Sequence, residues 1–93
     1  MAEGVSVIIC CYNSESRIAE TIQYLVAQEV PRELTWELVI VNNASKDNTK
    51  TIASQSWDCK SPNASFQIVD EFNPGLSSAR LKGIAVSRYD ILI

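Results

Sequence analysis

The stretch Val5-Ser6-Val7-Ile8-Ile9-Cys10-Cys11-Tyr12-Asn13 decides the fold of this chain. It begins with a nearly continuous apolar run over residues 5–11, rich in β-branched side chains. Such a run is typical of a strand that is buried on both faces of a parallel sheet. The sequence therefore predicts a first strand over residues 5–11, with its adjacent cysteines on opposite faces. Tyr12 and Asn13 then lie at the C-terminal end of that strand.

The rest of the chain alternates between helical and strand patterns. Further strands are predicted at residues 37–41, 66–69 and 91–93. Three helices are predicted from apolar residues at helical spacing, and their candidate N-caps are Ser14 or Ser16, Ser45 or Asp47, and Ser77 or Ser78. The residues that these helices are expected to bury are Ile18, Ile22, Leu25 and Val26, then Ile52, Ala53 and Trp57, then Ala79, Ile84 and Val86. Gly83 would allow the third helix to approach the sheet closely.

This order of elements predicts the architecture. Right-handed crossovers place β-α-β-α-β-α-β in one mostly parallel sheet with helices on both faces, which is a three-layer α/β sandwich. Ligands of such sheets bind beyond the C-terminal ends of the strands, where the strand order reverses. Tyr12, Asn13, Asn42, Asn43 and Asp70 are all predicted to lie on that edge.

Length and composition limit the possible functions. The chain has 93 residues, which make one small domain, and a hydrophobic content of 46% is sufficient for a core. No apolar run is long enough to cross a membrane, and no basic start followed by an apolar stretch indicates a signal peptide. The net charge is −3, and no Lys/Arg cluster indicates nucleic-acid binding. An anionic ligand must therefore be held by local groups.

Cysteine and histidine usage argues against a zinc site. Cys10, Cys11 and Cys59 have no disulfide-framework spacing, which is typical of a reduced, cytoplasmic protein. The chain has no histidine, and the cysteine spacing gives no support for zinc binding.

Polar residues at the strand ends allow two interpretations each. Tyr12 and Asn13 form either a nucleotide wall, with the ring against the base, or an ordinary strand-to-helix turn. The amide of Asn42 or Asn43 either reads a uracil edge, as both acceptor and donor, or belongs to an Asn-rich turn. Arg80 either makes a forked contact with a phosphate or lies on a solvated helix face.

The remaining signals at this edge favour no metal site or known phosphate loop. Asp70 and Glu71 are adjacent acids whose side chains should diverge, so they are interpreted as solvated charges. Gly75 belongs to an Asn-Pro-Gly turn, and the chain has neither a G-x-G-x-x-G nor a Walker pattern.

The order and spacing of these signals resemble the N-terminal part of a family 2 glycosyltransferase. In that family an apolar strand ends in Tyr-Asn, and a second strand ends in Asp-Asp-Gly-Ser with an Asp two residues later. Asn-x-Gly-x-Ser-x-Ala-Arg-Asn-x-Gly then follows. The matching residues of this chain are Tyr12, Asn13, Ser45, Asp47, Asn73, Gly75, Ser77, Ala79, Arg80 and Gly83. Departures are Asn42, Asn43 and Ala44, which replace two acids and a glycine, Leu81 in place of an asparagine, and Cys10 where proline is common.

The resemblance implies a Rossmann-like GT-A domain, of which residues 1–93 would form the nucleotide-sugar-binding half, interrupted in the fourth strand. It implies sugar transfer with inversion from a nucleotide-sugar donor, expected to be a UDP-sugar. By position, the residues expected to bind the donor nucleotide are Cys11, Tyr12, Asn13, Asn43, Ser45 and Arg80. Mg²⁺ or Mn²⁺ would bridge the donor phosphates, and its carboxylate ligands and the catalytic base are expected beyond Ile93. The protein is expected in the cytoplasm or at the cytoplasmic face of a membrane.

Two other classes stay open on the sequence alone. The chain could be a non-catalytic nucleotide-binding α/β module, or another doubly wound domain such as a receiver or a flavodoxin-like protein. A receiver needs acids at the end of its first strand, where this chain has Tyr12 and Asn13. The acceptor, whether glycan, lipid or protein, is not specified. Because residues 91–93 begin an apolar strand with no turn behind it, self-association through an unpaired strand edge is also expected.

Overall fold

The structure, a computed structural model, describes residues 2–28, 30–31, 33–59 and 63–93. Its elements confirm the predicted order, and the strands begin before their predicted first residues. In chain order they are β1 (Ala2–Cys11), α1 (Ile18–Val26), β2 (Trp36–Asn43), α2 (Thr49–Ser56), β3 (Ala64–Glu71), α3 (Leu76–Val86) and β4 (Tyr89–Leu92).

The strands form one parallel sheet in the order β3-β2-β1-β4. Cys11 of β1 lies opposite Asn42 of β2, and Asn43 lies opposite Glu71 of β3. The chain moves outward from β1 to β3 and then returns past β1 to form β4. The strand order therefore reverses beside β1, and the C-terminal ends of β1, β2 and β3 meet next to that reversal.

Helices cover both faces of the sheet, as predicted. One core lies under α1 and α2, and its buried members include Ile18, Ile22, Leu38, Ile40 and Ala53. A smaller core lies under α3, and its buried members are Val39, Val41 and Ala79. Cys11 belongs to the first core and Cys10 packs against the second, which confirms that the two cysteines point to opposite faces.

The prediction that β1 is buried on both faces overestimates its burial. The strand with near-complete burial is β2, whereas Ser6 and Cys11 are the buried residues of β1 and most of its other side chains are half-buried. The cores under the helices centre on β2, and β4, the other neighbour of β1, is only four residues long. A central strand with one short neighbour keeps an open flank on that side.

The predicted side-chain caps are largely replaced by other contacts. At the start of α1, the carbonyl oxygen of Ser14 accepts from the backbone N–H groups of Arg17 and Ile18, and no side chain caps the helix. At the start of α2, Asp47 accepts from the N–H of Thr49, so this predicted residue does satisfy a helix-end donor. In α3 the helix begins before the predicted serines, with Gly75 at the N-cap.

Gly83 lets α3 approach the sheet closely, as predicted. A Cβ built at this position would collide with Cγ2 of Ile8 and would lie 3.3 Å from Cγ2 of Val41. The helix therefore packs directly over β1 and β2. Ile84, the next residue, was predicted to be buried but is 52% exposed, because it faces an open groove beside β4 rather than the core.

At the N-terminal ends of the strands, a buried side chain of β2 connects the neighbouring strands. Glu37 is 1% exposed, and its Oε2 accepts from Ser6 Oγ at 2.7 Å and from the N–H of Arg88 at 2.7 Å. Its Oε1 accepts from Gln67 Nε2 at 3.0 Å. These bonds provide the buried carboxyl group with three donors and tie β1, β3 and the entry to β4 to the central strand.

Candidate functional site

An open cleft of about 320 Å³ lies at the C-terminal ends of β1 and β2, beside the start of α3. Its position is the one predicted from strand order, next to the point of reversal. Three of the expected ligand-binding residues meet here, namely Cys11, Tyr12 and Asn43. The lining is completed by Cys10, Pro74, Gly75, Leu76 and Ala79.

Tyr12 presents its ring to solvent at the mouth of the cleft. It follows β1 directly and is 57% exposed, a high value for an aromatic side chain. Its carbonyl oxygen accepts from Ser14 Oγ, which fixes the backbone of the turn, while the ring remains available. An exposed aromatic face of this kind is suited to stacking against a planar ligand.

Arg80 lies on α3 but lines a neighbouring groove rather than the cleft itself. That groove has a volume of about 530 Å³ and shares Cys10 and Leu76 with the cleft. The guanidinium is exposed and close enough to Cys10 to favour its thiolate. A ligand that extends from the cleft into the groove would pass from the aromatic ring of Tyr12 to the positive charge of Arg80.

Asn13 and Ser45 do not line the cleft, and they bind each other's loops instead. Ser45 Oγ accepts from the N–H of Asn13 at 2.9 Å, and Asn13 Oδ1 accepts from the N–H of Lys46 at 2.8 Å. Both Asn13 (φ 46°) and Ala44 (φ 55°) adopt the left-handed backbone region. Sequence position grouped these residues with the ligand-binding set, whereas the geometry makes them a brace between the β1–α1 and β2–α2 loops.

Asp47 extends the same brace. Its carboxylate accepts from the hydroxyl and the N–H of Thr49 and from the N–H of Glu15. These bonds, the Thr49 hydroxyl first among them, hold the pKa of Asp47 below its ordinary value. The carboxylate of Glu15 in turn accepts a hydrogen bond from the backbone N–H of Asn48 at 2.8 Å. The two loops are thus joined from both sides.

Asn43 is 6% exposed and uses its carboxamide to hold the Asn-Pro-Gly turn. Its Nδ2 donates to the carbonyl oxygens of Glu71 at 3.1 Å and Asn73 at 2.8 Å, and its Oδ1 accepts from the N–H of Gly75 at 3.0 Å. Both N–H groups are therefore engaged. The predicted donation from this amide to a base carbonyl does not fit the structure, because no free donor remains.

The acids at this edge diverge, as predicted, and each is paired. Asp70 accepts from Lys50 Nζ at 2.7 Å and from Asn42 Nδ2 at 3.2 Å, and the Lys50 bond is the main cause of its lowered pKa. Glu71 instead accepts from the N–H of Asn73. Within the described residues, no group of three or more histidine, cysteine, aspartate or glutamate side chains could hold a metal ion.

The thiols at the cleft are not activated nucleophiles. Burial raises the pKa of Cys11 to about 11, with the adjacent Cys10 adding to the rise. Burial also raises the pKa of Cys10, and the charge of Arg80 opposes that rise. Both groups are protonated at neutral pH, so their contribution to a ligand is shape and weak polarity.

Several residues that line the cleft were not predicted from the sequence to contact a ligand. Pro74, Leu76 and Ala79 line the cleft, although none was expected to contact a ligand. The available signal was the Asn-Pro-Gly turn directly before a helix, because such a turn aims the helix N-terminus at the edge of the sheet.

Comparisons with known proteins bear on this site. A sequence model described as Glycosyl transferase family 2 matches residues 6–93. The poly-β-1,6-N-acetyl-D-glucosamine synthase of Staphylococcus epidermidis is 33% identical over 92 residues, which are 98% of this chain and 21% of that synthase. A dolichyl-phosphate β-glucosyltransferase of Trichomonas vaginalis is 42% identical over 53 residues, which are 52% of this chain and 16% of that protein.

Solved structures share the fold. Staphylococcus aureus TarS matches with a TM-score of 0.79 at 23% identity, and the match covers 97% of this chain and 26% of that one. TarS in complex with UDP-GlcNAc matches with a TM-score of 0.71 at 25% identity, covering 97% of this chain and 25% of that one. Among the described residues, no helix has the length and apolar character needed to cross a membrane.

Proposed function

The chain belongs to glycosyltransferase family 2, and on this basis we propose that the protein transfers a sugar from a UDP-sugar donor to an acceptor. The observation that carries the proposal is the cleft at the strand-order reversal, lined by Cys11, Tyr12 and Asn43. Support comes from the TarS complex, since that structure contains UDP-GlcNAc on the same fold. The residues of this chain would supply part of the donor nucleotide site.

Each residue near the cleft has a distinct proposed role. The exposed ring of Tyr12 stacks against the base, and Cys11 closes the floor beside it. Arg80 contacts the phosphates where the cleft opens into the neighbouring groove, because a guanidinium forms forked, charge-assisted bonds with phosphate oxygens. Asn13 and Ser45 act through the loop brace that positions Tyr12.

The remaining chemistry is assigned to residues that this chain does not cover. The chain spans 21% of the length of the Staphylococcus epidermidis synthase. We propose that, in the whole protein, carboxylates outside residues 1–93 hold Mg²⁺ or Mn²⁺ and provide the base that activates the acceptor, with inversion at the anomeric carbon. Such an ion neutralises charge on the donor phosphates. The described residues contribute binding and orientation of the nucleotide.

Location and assembly belong to the same proposal. Three free cysteines without framework spacing favour a reducing compartment, so we place this part of the protein in the cytoplasm. Self-association is proposed through the edge strand β4, because Ile91 within it and Ile93 directly after it are 57% and 72% exposed.

A matched pair of variants on α3 tests the donor site. UDP affinity is measured by NMR titration for the unmodified chain, Arg80→Ala and Lys82→Ala. Both changes remove one positive charge from the same helix, but Lys82 lines neither the cleft nor the groove. Arg80→Ala should weaken binding about tenfold, and Lys82→Ala by less than about twofold. Equal losses of UDP affinity in the two variants would show that Arg80 acts only through the net charge of the chain and makes no direct phosphate contact. Absence of UDP binding by the unmodified chain would contradict the proposed donor site.

A further inference from the structure

The environment of the Asn43 side chain has a fixed pattern of donors and acceptors. Two backbone carbonyl oxygens, from Glu71 and Asn73, face its Nδ2, and one backbone N–H, from Gly75, faces its Oδ1. The site therefore requires two donors and one acceptor from a single side chain. A carboxamide supplies that combination, whereas an ionised carboxylate supplies acceptors alone.

A carboxylate at this position would be poorly accommodated. It would satisfy Gly75 but would leave the carbonyl oxygens of Glu71 and Asn73 without donors, and it would place negative charge against both. A buried polar group that loses its hydrogen-bond partner destabilises the structure. Protonation would restore one donor, so the acid form should fit better than the ionised form.

The turn held by Asn43 forms one wall of the cleft. Pro74, Gly75 and Leu76 all line it, and Gly75 is also the N-cap of α3 with φ 122° and ψ 147°. The bond from the Gly75 N–H to Asn43 therefore fixes both the wall and the point at which α3 starts. If this turn moved, that wall of the cleft would move with it.

We propose that Asn43 is a positioning residue that locks the turn of residues 73–75 against the nucleotide cleft, and that an amide rather than a carboxylate is required there. The inference rests on the proposed nucleotide site and deepens it. The family pattern places an acid at this position, where this chain has Asn43. Because both N–H groups of Asn43 are engaged, discrimination between uracil and cytosine does not pass through its donors.

The test compares two amide-to-carboxylate changes that add the same charge. Asn43→Asp alters the clamp, and Gln23→Glu, an exposed change on α1 that does not line the cleft, is the control. UDP and CDP affinities are measured by NMR titration from about pH 7 to about pH 5, together with hydrogen exchange of the Gly75 amide. The titratable groups that line the cleft with Asn43 are the Cys10 and Cys11 thiols and the Tyr12 hydroxyl. The Glu71 carboxylate accepts from the N–H of Asn73 beside it, and Arg80 lines the neighbouring groove, so the unmodified chain is titrated over the same range as a baseline.

At neutral pH, Asn43→Asp should weaken UDP and CDP binding by the same factor, about tenfold, and speed exchange of the Gly75 amide. Affinity should recover on acidification, whereas Gln23→Glu should follow the unmodified chain throughout. An Asn43→Asp variant that binds UDP as well as the unmodified chain would overturn the proposal. A variant that gains affinity for UDP over CDP would also overturn it, because residue 43 would then contact the base.

Three further outcomes keep the proposals separable. If Asn43→Asp does not fold near neutral pH, Asn43→Ser takes its place; it should weaken both nucleotides without the acid recovery, and unchanged affinity would overturn the clamp. If the unmodified chain binds neither nucleotide, the proposed function fails and the positioning role fails with it. If binding is intact while Gly75 exchange is unchanged in the variants, only the clamp fails.

Discussion

Asn43 Oδ1 lies 3.0 Å from the backbone nitrogen of Gly75, so one side chain at the end of β2 determines where α3 begins. The two residues are 32 positions apart in the sequence. Gly75 meets this bond with φ 122° and ψ 147°, a backbone region that is essentially restricted to glycine. The cleft wall therefore depends on an amide at one position and on a glycine at the other.

Gly75→Ala should destabilise the fold by about 1–3 kcal/mol through backbone strain alone. A Cβ at this position would meet no atom within 4 Å, so steric collision does not contribute. Urea denaturation measures the loss, and Ser77→Ala, an exposed change in the first turn of the same helix, should stay within about 0.5 kcal/mol. Equal stability of Gly75→Ala and the unmodified chain would show that the turn relaxes to another conformation.

Ala44→Gly should stabilise the protein, unlike most substitutions by glycine. Ala44 has φ 55°, where a Cβ destabilises the folded state by about 1–2 kcal/mol, and glycine removes that strain. Glycine also makes the unfolded chain more flexible, so folding loses more entropy and part of the stabilisation is offset. We expect a net gain of up to about 1 kcal/mol in urea denaturation. Ala85→Gly, an exposed change within α3, should cost about 1 kcal/mol. A loss at both positions would contradict the left-handed assignment at Ala44.

Stability should decline below about pH 4, and Asp47 should contribute to that decline. Hydrogen bonds from Thr49 and Glu15 lower its folded pKa, so it stabilises the fold above its unfolded pKa, and the effect is lost as the pH falls through the folded value. Asp70, paired with Lys50, acts in the same window. Asp47→Asn should lower the thermal midpoint near pH 7 and make its acid dependence shallower. Glu20→Gln, an exposed change on α1, is the control, and parallel pH curves for Asp47→Asn and the unmodified chain would contradict the brace.

Self-association should depend on the β4 edge. Leu92 is 38% exposed at the end of this strand, and an unpaired apolar edge is a template for pairing with another chain. Sedimentation over a concentration series should show a dimer or larger species that Leu92→Lys weakens more than Gln23→Lys on the exposed side of α1. A monomer at the highest concentration would refute this prediction.

The element order, the parallel sheet and the position of the cleft were predictable from the sequence. Hydrophobic spacing and β-branched runs report element type directly, and crossover handedness then limits the topology. The Gly83 contact was also predictable, since a glycine within an apolar helix pattern often marks close packing. These inferences use local patterns and general rules of connection.

The hydrogen bonds at the site were not predictable in the same way. Asn13 pairs with the loop at Ser45 and Asn43 with the turn at Gly75, each across about thirty residues, and sequence spacing does not reveal which polar atoms meet. The prediction that Ile84 is buried was wrong because it also depends on tertiary structure that helical spacing does not reveal. Helical spacing puts it on the inward stripe, but the sheet beneath that end of α3 gives way to the groove beside Leu92 and Ile93.

Amide chemical-shift mapping by NMR during a UDP titration is the most direct test of the proposed nucleotide site. Binding is expected to be weak, about millimolar or about −4 kcal/mol, with shift changes concentrated at Tyr12, Gly75, Leu76 and Arg80. UMP should reproduce the changes near Tyr12 and give smaller ones at Arg80. Shift changes centred on the outer faces of α1 and α2, or no saturable change up to high UDP concentration, would contradict a nucleotide site at the C-terminal ends of β1 and β2.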